Sequence, residues 1–222
     1  MPSISLNTRV WDNFTRVYHF SQLILLILLW YTGENAEFEW HFICGFTLAG
    51  LWITRLIWGF IGSDTSKFSH FIRTPFDVLK AWKSNSISQP HNGHNPVGGY
   101  MVMLLLLCLG LQLFTGLFAS DDVFTEGPLY MMVSEPFTES MDSLHHQTFD
   151  VLLVLIGLHA LAGILHMFRG DNVIAAIITG KKLMGKNTTQ QSSESLLFKS
   201  AVMPLIVWGL ISYSLYYWGM GA

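Results

Sequence analysis

Nine histidines punctuate this chain of 222 residues, and six of them, His19, His41, His145, His146, His159 and His166, lie in or at the ends of long apolar stretches. An ionisable side chain at membrane depth is costly and usually marks a function. Neutral imidazole can hold a metal through one ring nitrogen while the other N–H donates to a carbonyl or carboxylate, which compensates its burial without leaving a charge in hydrocarbon. His145 and His159 stand 14 residues apart. On a helix that spacing puts them within about 40° on one face and about 21 Å apart in height. His41 begins a second apolar stretch and His19 lies in the first turn of another, so each end of the helix that carries His145 and His159 has a histidine opposite it. Two pairs at two levels of a four-helix bundle suit two b-type haems, each held by a bis-histidine bridge between helices. The competing structural reading has each histidine merely bonding to a neighbouring helix. It accounts for any one of them more easily than for four at matched depths.

Two ligand choices stay open on spacing alone. His146 adjoins His145 but is turned about 140° from His159, which favours His145. His166 follows His159 by seven residues on a similar face, and its depth beside Arg169 matches His19. We take His159 as the ligand and place His166 near a haem propionate or a quinone. Gly45, Gly50, Gly110, Gly116, Gly157 and Gly163 would let a flat macrocycle approach the backbone, though packing of small residues in membrane helices explains them equally well.

These side chains need elements to carry them, and the composition says which kind. The chain is 51% hydrophobic, 14% aromatic and only 12% charged, with a mean hydropathy of +0.41. A soluble domain carries about 25% charged residues, so the composition argues against an ordinary water-soluble enzyme. The net charge of -3, with no basic block, excludes a nucleic-acid binder. Cys44 and Cys108 both lie inside apolar runs, so the sequence holds no disulfide framework, zinc motif or c-type haem attachment site. Crossing a bilayer takes about 20 mostly apolar residues. Stretches 17–33, 41–61, 98–119 and 145–168 meet that length, and 200–220 is expected as a fifth. The first is expected to be retained as a helix, because no small-residue cleavage pattern follows it.

Orientation follows from the cations, since loops rich in lysine and arginine stay in the cytoplasm. Arg9 and Arg16 precede the first stretch, Arg55, Lys67, Arg73, Lys80 and Lys83 end or follow the second, and Arg169, Lys181, Lys182, Lys186 and Lys199 follow the fourth, which accounts for all 12. Loops 34–40 and 120–144 hold none; they carry Glu34, Glu37, Glu39, Asp121, Asp122, Glu126, Glu135, Glu139 and Asp142. The N-terminus is therefore expected inside and those two loops outside. Segment 171–180 reads as a short interfacial helix bearing Val173, Ile174, Ile177 and Ile178. In the inner loop, Asn95 and Pro96 suit a helix start. Asp150 reads as an interfacial carboxylate, and Trp30, Tyr31, Trp40, Trp52 and Trp58 as aromatic belts.

Several fragments together resemble a known family. Val10-Trp11-Asp12 leading to Arg16-Val17-Tyr18-His19, Trp40-His41 leading through Gly45 to Arg55-Leu56-Ile57-Trp58-Gly59-Phe60, Gly93-His94-Asn95-Pro96-Val97-Gly98, and Leu144-His145 leading to Gly157-Leu158-His159 are similar to the prokaryotic cytochrome b561 family, which also includes the b-type cytochrome subunits of nickel-iron hydrogenases. The resemblance spans about residues 8–185. It implies an all-α, integral membrane four-helix di-haem bundle with ligands on the first, second and fourth helices, and electron exchange with quinones. Carried over by position, His19 and His159 hold the inner haem and His41 with His145 the outer one. The chain departs from the simplest members in its expected fifth transmembrane helix, within a remainder, 186–222, that also holds a polar linker, and in the doubled His145-His146.

Iron with two strong nitrogen ligands has no open position for substrate, so such a centre relays single electrons. The expected protein is a multi-pass cytochrome of the bacterial inner membrane, carrying electrons between the quinone pool and a periplasmic redox partner such as a c-type cytochrome or a hydrogenase-like protein. A superoxide-oxidising quinone reductase of the same fold is an alternative. Arg55 and Arg73 are available for propionates, and His91, His94 and His166 for proton handling or quinone contact. The acidic outer loops would attract a basic partner. Two rivals come from other classes. A histidine-lined metal-ion transporter would need ligands clustered at the midplane, often with carboxylates. A bare membrane anchor would make every buried histidine structural.

Overall fold

The computed structural model describes residues 5–76, 78–79, 95–120, 125–185 and 196–221. Strand β1 (Ser5–Arg9) leads into helix α1 (Asn13–Glu34) and, after a tight turn, α2 (Phe38–Ile61). The short α3 (Phe68–Phe71), the long α4 (Pro96–Gly116) and α5 (Glu135–Phe168), and α6 (Val173–Thr179) follow. Strand β2 (Lys181–Gly185) and α7 (Val202–Met220) complete the order. Four helices, α1, α2, α4 and α5, are long and apolar enough to cross a membrane. They are the four stretches read from hydropathy, each starting earlier than the apolar run alone indicated. The largest difference is in α5, which begins at Glu135: residues 135–144 are polar enough to resemble a loop, yet they continue the helix. Large apolar side chains such as Ile24, Ile27, Leu107 and Val154 are left exposed on these helices, as lipid-facing positions require.

The chain divides into two compact units. One comprises Met1–Tyr18, Arg55–Met103 and Leu158–Pro204. Here β1 pairs antiparallel with β2, Ser5 opposite Gly185 and Arg9 opposite Lys181, a ribbon that the hydropathy pattern did not signal. Gly180 ends α6 at φ +79°, and its carbonyl accepts from the amides of Val10 and Trp11. The Arg16 guanidinium donates to the carbonyls of Ile177 and Ile178. Asp12, fully buried, accepts from the Thr15 amide at 2.7 Å, the Ser66 hydroxyl at 2.5 Å and the Trp58 indole at 3.2 Å. One carboxylate thus joins the start of α1, the end of α2 and the turn beyond it. Asp64 accepts from the Leu197 amide and the Ser63 hydroxyl from the Lys199 amide, which fixes the approach to α7.

The other unit comprises His19–Thr54, Leu104–Gly157 and Leu205–Ala222. Trp52 of α2 donates its indole N–H to the Leu106 carbonyl of α4 at 2.9 Å. Gly110 lies under the same ring, where a Cβ would stand 2.5 Å from Cζ2. Trp208 of α7 donates to the Thr47 carbonyl of α2 at 3.0 Å. Gly50 admits Ser212 so closely that a Cβ would meet its backbone nitrogen at 2.9 Å. The fifth apolar stretch is thus a helix of 19 residues packed on α2.

Candidate haem-binding site

The second unit encloses a cavity of about 270 Å³ whose lining includes His41 of α2 and His145 of α5, together with Gly33, Gly45 and Gly116. That volume falls just below the range of about 300–1,000 Å³ typical of ligand pockets, which are mostly apolar with a few placed polar groups. The two histidines expected to share the outer haem therefore share one cavity.

The turn between α1 and α2 sets His41. The Glu37 amide donates to the Thr32 carbonyl, and Ala36 occupies the left-handed region at φ 54°. This brings the Thr32 hydroxyl to 3.2 Å from His41 Nδ1. The hydroxyl proton is directed to the Leu28 carbonyl at 2.8 Å, so Oγ1 can only accept from the ring and the N–H of His41 belongs on Nδ1. His145 is held in the same way from α4. Its Nδ1 lies 3.1 Å from the Gln112 carbonyl and 3.1 Å from the Thr115 hydroxyl. Thr115 in turn directs its proton to the carbonyls of Leu111 and Gln112. A carbonyl only accepts, so Nδ1 of His145 carries hydrogen and Nε2 presents a lone pair, which the Gln112 amide meets at 3.1 Å. That lone pair is the group an iron would take.

The donor set and the backbone both fit a haem. Neutral imidazoles whose Nδ1–H is engaged by the protein ligate iron through Nε2, and the Gln112 side chain that meets Nε2 of His145 would yield that position to iron. Glycines lie against both rings: a Cβ at Gly116 would stand 2.9 Å from His145 Cε1, and one at Gly33 would stand 3.4 Å from His41 Cε1. The neighbouring His146 has a side chain 78% exposed and sits 3.9 Å from Asp142, so the doubled histidine resolves into one ring bonded to α4 and one turned outward. Among the described residues no three His, Cys, Asp or Glu gather into a metal-ion site.

The remaining candidates are placed as follows. His19, half-buried, stacks edge-on to Phe20 with centroids 5.6 Å apart. His159 is half-buried on α5. His19 belongs to the second unit and His159 to the first. His166 stands with Asn95, 3.1 Å from its Nε2, and with Asp171, 3.5 Å from its Nδ1, while Asp171 also pairs with Lys182 at 2.5 Å. Arg55 is only 3% exposed, its guanidinium 5.8 Å from the Tyr18 ring and 5.3 Å from the Phe68 ring. One of its terminal nitrogens, Nη1, is buried with no hydrogen-bond partner among the described residues. Arg73 is exposed, and its carbonyl accepts from the Tyr100 hydroxyl. His91 and His94 lie outside the described residues, as do Asp121 and Asp122 of the acidic outer loop.

Thr32, Gln112 and Thr115 were not singled out by sequence reasoning. Nothing in the periodicity of an apolar helix distinguishes a threonine that faces an imidazole from one that only bonds its own backbone. Thr47 and Thr54 show the latter arrangement.

Comparison with known families matches residues 10–180 to the prokaryotic cytochrome b561 family. Neither curated proteins nor solved structures gave a match. The matched region takes in all four long membrane-capable helices and the cavity between His41 and His145. The chain belongs to the prokaryotic cytochrome b561 family, and it is a multi-pass membrane cytochrome that binds b-type haem and transfers electrons.

Proposed function

We propose that this cytochrome holds two haems b, one between His41 and His145 and one between His19 and His159, and passes electrons between the quinone pool and a periplasmic redox protein. The observation that carries the reading is the shared cavity of His41 and His145, with both rings held through Nδ1. Iron ligated by two imidazoles supplies a one-electron relay with no open coordination position. The protein's own part is to orient the rings, exclude water and neutralise the propionates. Arg55 is the proposed propionate partner, because a buried guanidinium with an unbonded nitrogen suits a carboxylate. Arg73 and His94 are further candidates for propionate or quinone contact from their place on the inner side of the sequence.

His166 is proposed to hold the proton that quinone chemistry takes up or releases, with Asn95 and Asp171 fixing its ring. The cation distribution supports a cytoplasmic N-terminus and residence in the bacterial inner membrane. The family region is taken as 8–185 and the remainder, 186–222, as a linker with a fifth span. Packing of α7 on α2 supports that span.

Haem content per chain tests the proposal. Purified protein is expected to show a reduced b-type band with two haems per chain, and to be reduced by a quinol. One haem per chain, or a pigment that no quinol reduces, contradicts it.

A further inference from the structure

The two ring-facing threonines form a matched pair. Thr32 on α1 and Thr115 on α4 are both buried, at 6% and 0% exposed. Each directs its proton to the carbonyl four residues back, Leu28 for Thr32 and Leu111 for Thr115. Each presents Oγ1 to Nδ1 of a cavity histidine, at 3.2 Å for His41 and 3.1 Å for His145. The backbone bond alone is the ordinary way a membrane helix satisfies a hydroxyl. Thr47 and Thr54 do this on the same unit, and among the described residues neither hydroxyl bonds a histidine ring. What distinguishes Thr32 and Thr115 is that one stands behind each imidazole of the same cavity, although they come from different helices.

We infer that Thr32 and Thr115 are positioning residues that lock the tautomer of His41 and His145 and set how strongly each ring donates to iron. This rests on the assignment of those two histidines as the outer haem's ligands. A hydroxyl whose own proton is committed elsewhere is a pure acceptor toward Nδ1–H. Such an acceptor fixes ring orientation and raises the basicity of the opposite nitrogen. Removing it leaves a less basic ligand, which stabilises ferric iron less and raises the midpoint potential. The Gln112 carbonyl still holds His145 when Thr115 is changed, so the ring stays in place and the effect falls on the potential.

The test is a redox titration of the purified holoprotein for Thr32→Val, Thr115→Val, Thr32→Ser and Thr115→Ser, with Thr47→Val as control, read together with the low-spin ferric electron paramagnetic resonance signal. Each valine variant is expected to raise the potential of one haem and shift its signal, leaving the other haem unchanged. The serine variants and Thr47→Val are expected to match the parent. If a valine variant instead loses one haem, restoration by serine supports the inference and a serine variant equally deficient overturns it. Unchanged potentials and signals in both valine variants overturn it as well. Should His41→Ala and His145→Ala each retain both haems, the ligand assignment itself has failed. Should they each lose one haem while the valine variants change nothing, only the role of the threonines has failed.

Discussion

Gly116 lies so close beneath His145 that a Cβ there would stand 2.9 Å from the ring's Cε1 and 3.3 Å from Nδ1. The ring cannot simply retreat, because the Gln112 carbonyl and Thr115 hydroxyl hold the same Nδ1. Gly116→Ala is therefore expected to push the imidazole off its bonds and lower the affinity for one haem by about 10- to 100-fold, the range seen when ligand orientation is disturbed. Haem titration of the apoprotein measures this. Gly209→Ala on α7, where nothing lies within 4 Å, is expected to titrate like the parent.

The turn that brings Thr32 to His41 contains Ala36 at φ 54°. A left-handed alanine costs roughly 1–2 kcal/mol, against which glycine's greater chain entropy sets about 0.5–1 kcal/mol. Ala36→Gly is expected to stabilise the protein by roughly 0.5–1 kcal/mol, seen as a higher unfolding temperature in detergent with unchanged haem content. A lower unfolding temperature would show that the turn is not strained.

The four membrane-capable helices were legible in the sequence because long apolar runs are a strong signal. The shared face of His145 and His159 was argued from helical geometry along one helix, so it needed no tertiary information. Three features were not legible. Residues 135–144 extend α5 although they are polar, because helical bonding continues once a helix is nucleated and a solvated end needs no apolar side chains. The β1–β2 ribbon joins segments about 175 residues apart, Ser5 with Gly185, and such short strands carry no periodicity that singles out a partner. His145 over His146 was favoured by angle alone, whereas the structure separates them through Gln112 and Thr115, which lie on another helix.

Asp12 collects the Thr15 amide and hydroxyl, the Ser66 hydroxyl and the Trp58 indole in full burial. Asp12→Ala strands these donors, each worth about 1–3 kcal/mol when left unsatisfied. A net loss on the order of 3 kcal/mol is expected, with Asp12→Asn intermediate because the amide keeps one acceptor oxygen. Chemical denaturation in mild detergent checks the order of the three proteins.

Asp64 lies beyond the end of α2. The hydrogen bond from Lys67 first, and then the Leu197 amide, hold its carboxyl below the ordinary carboxylate value. A carboxyl depressed on folding contributes stability that is present above its unfolded pKa and lost as pH falls through the folded one. The link between Asp64 and Leu197 is therefore expected to hold at neutral pH and loosen in acid below the usual carboxylate range. Exchange of the Leu197 amide across that range follows it. Asp64→Asn should abolish the acid-dependent step, and an Asn variant that keeps the step would assign it elsewhere.

The most direct measurement is haem stoichiometry, by pyridine haemochrome against protein mass, in His41→Ala and His145→Ala. The account predicts two haems per chain in the parent and one in each variant, the same one, with the remaining haem's potential unchanged. Two haems retained in either variant, or both lost in each while the helices stay folded by circular dichroism, would contradict it.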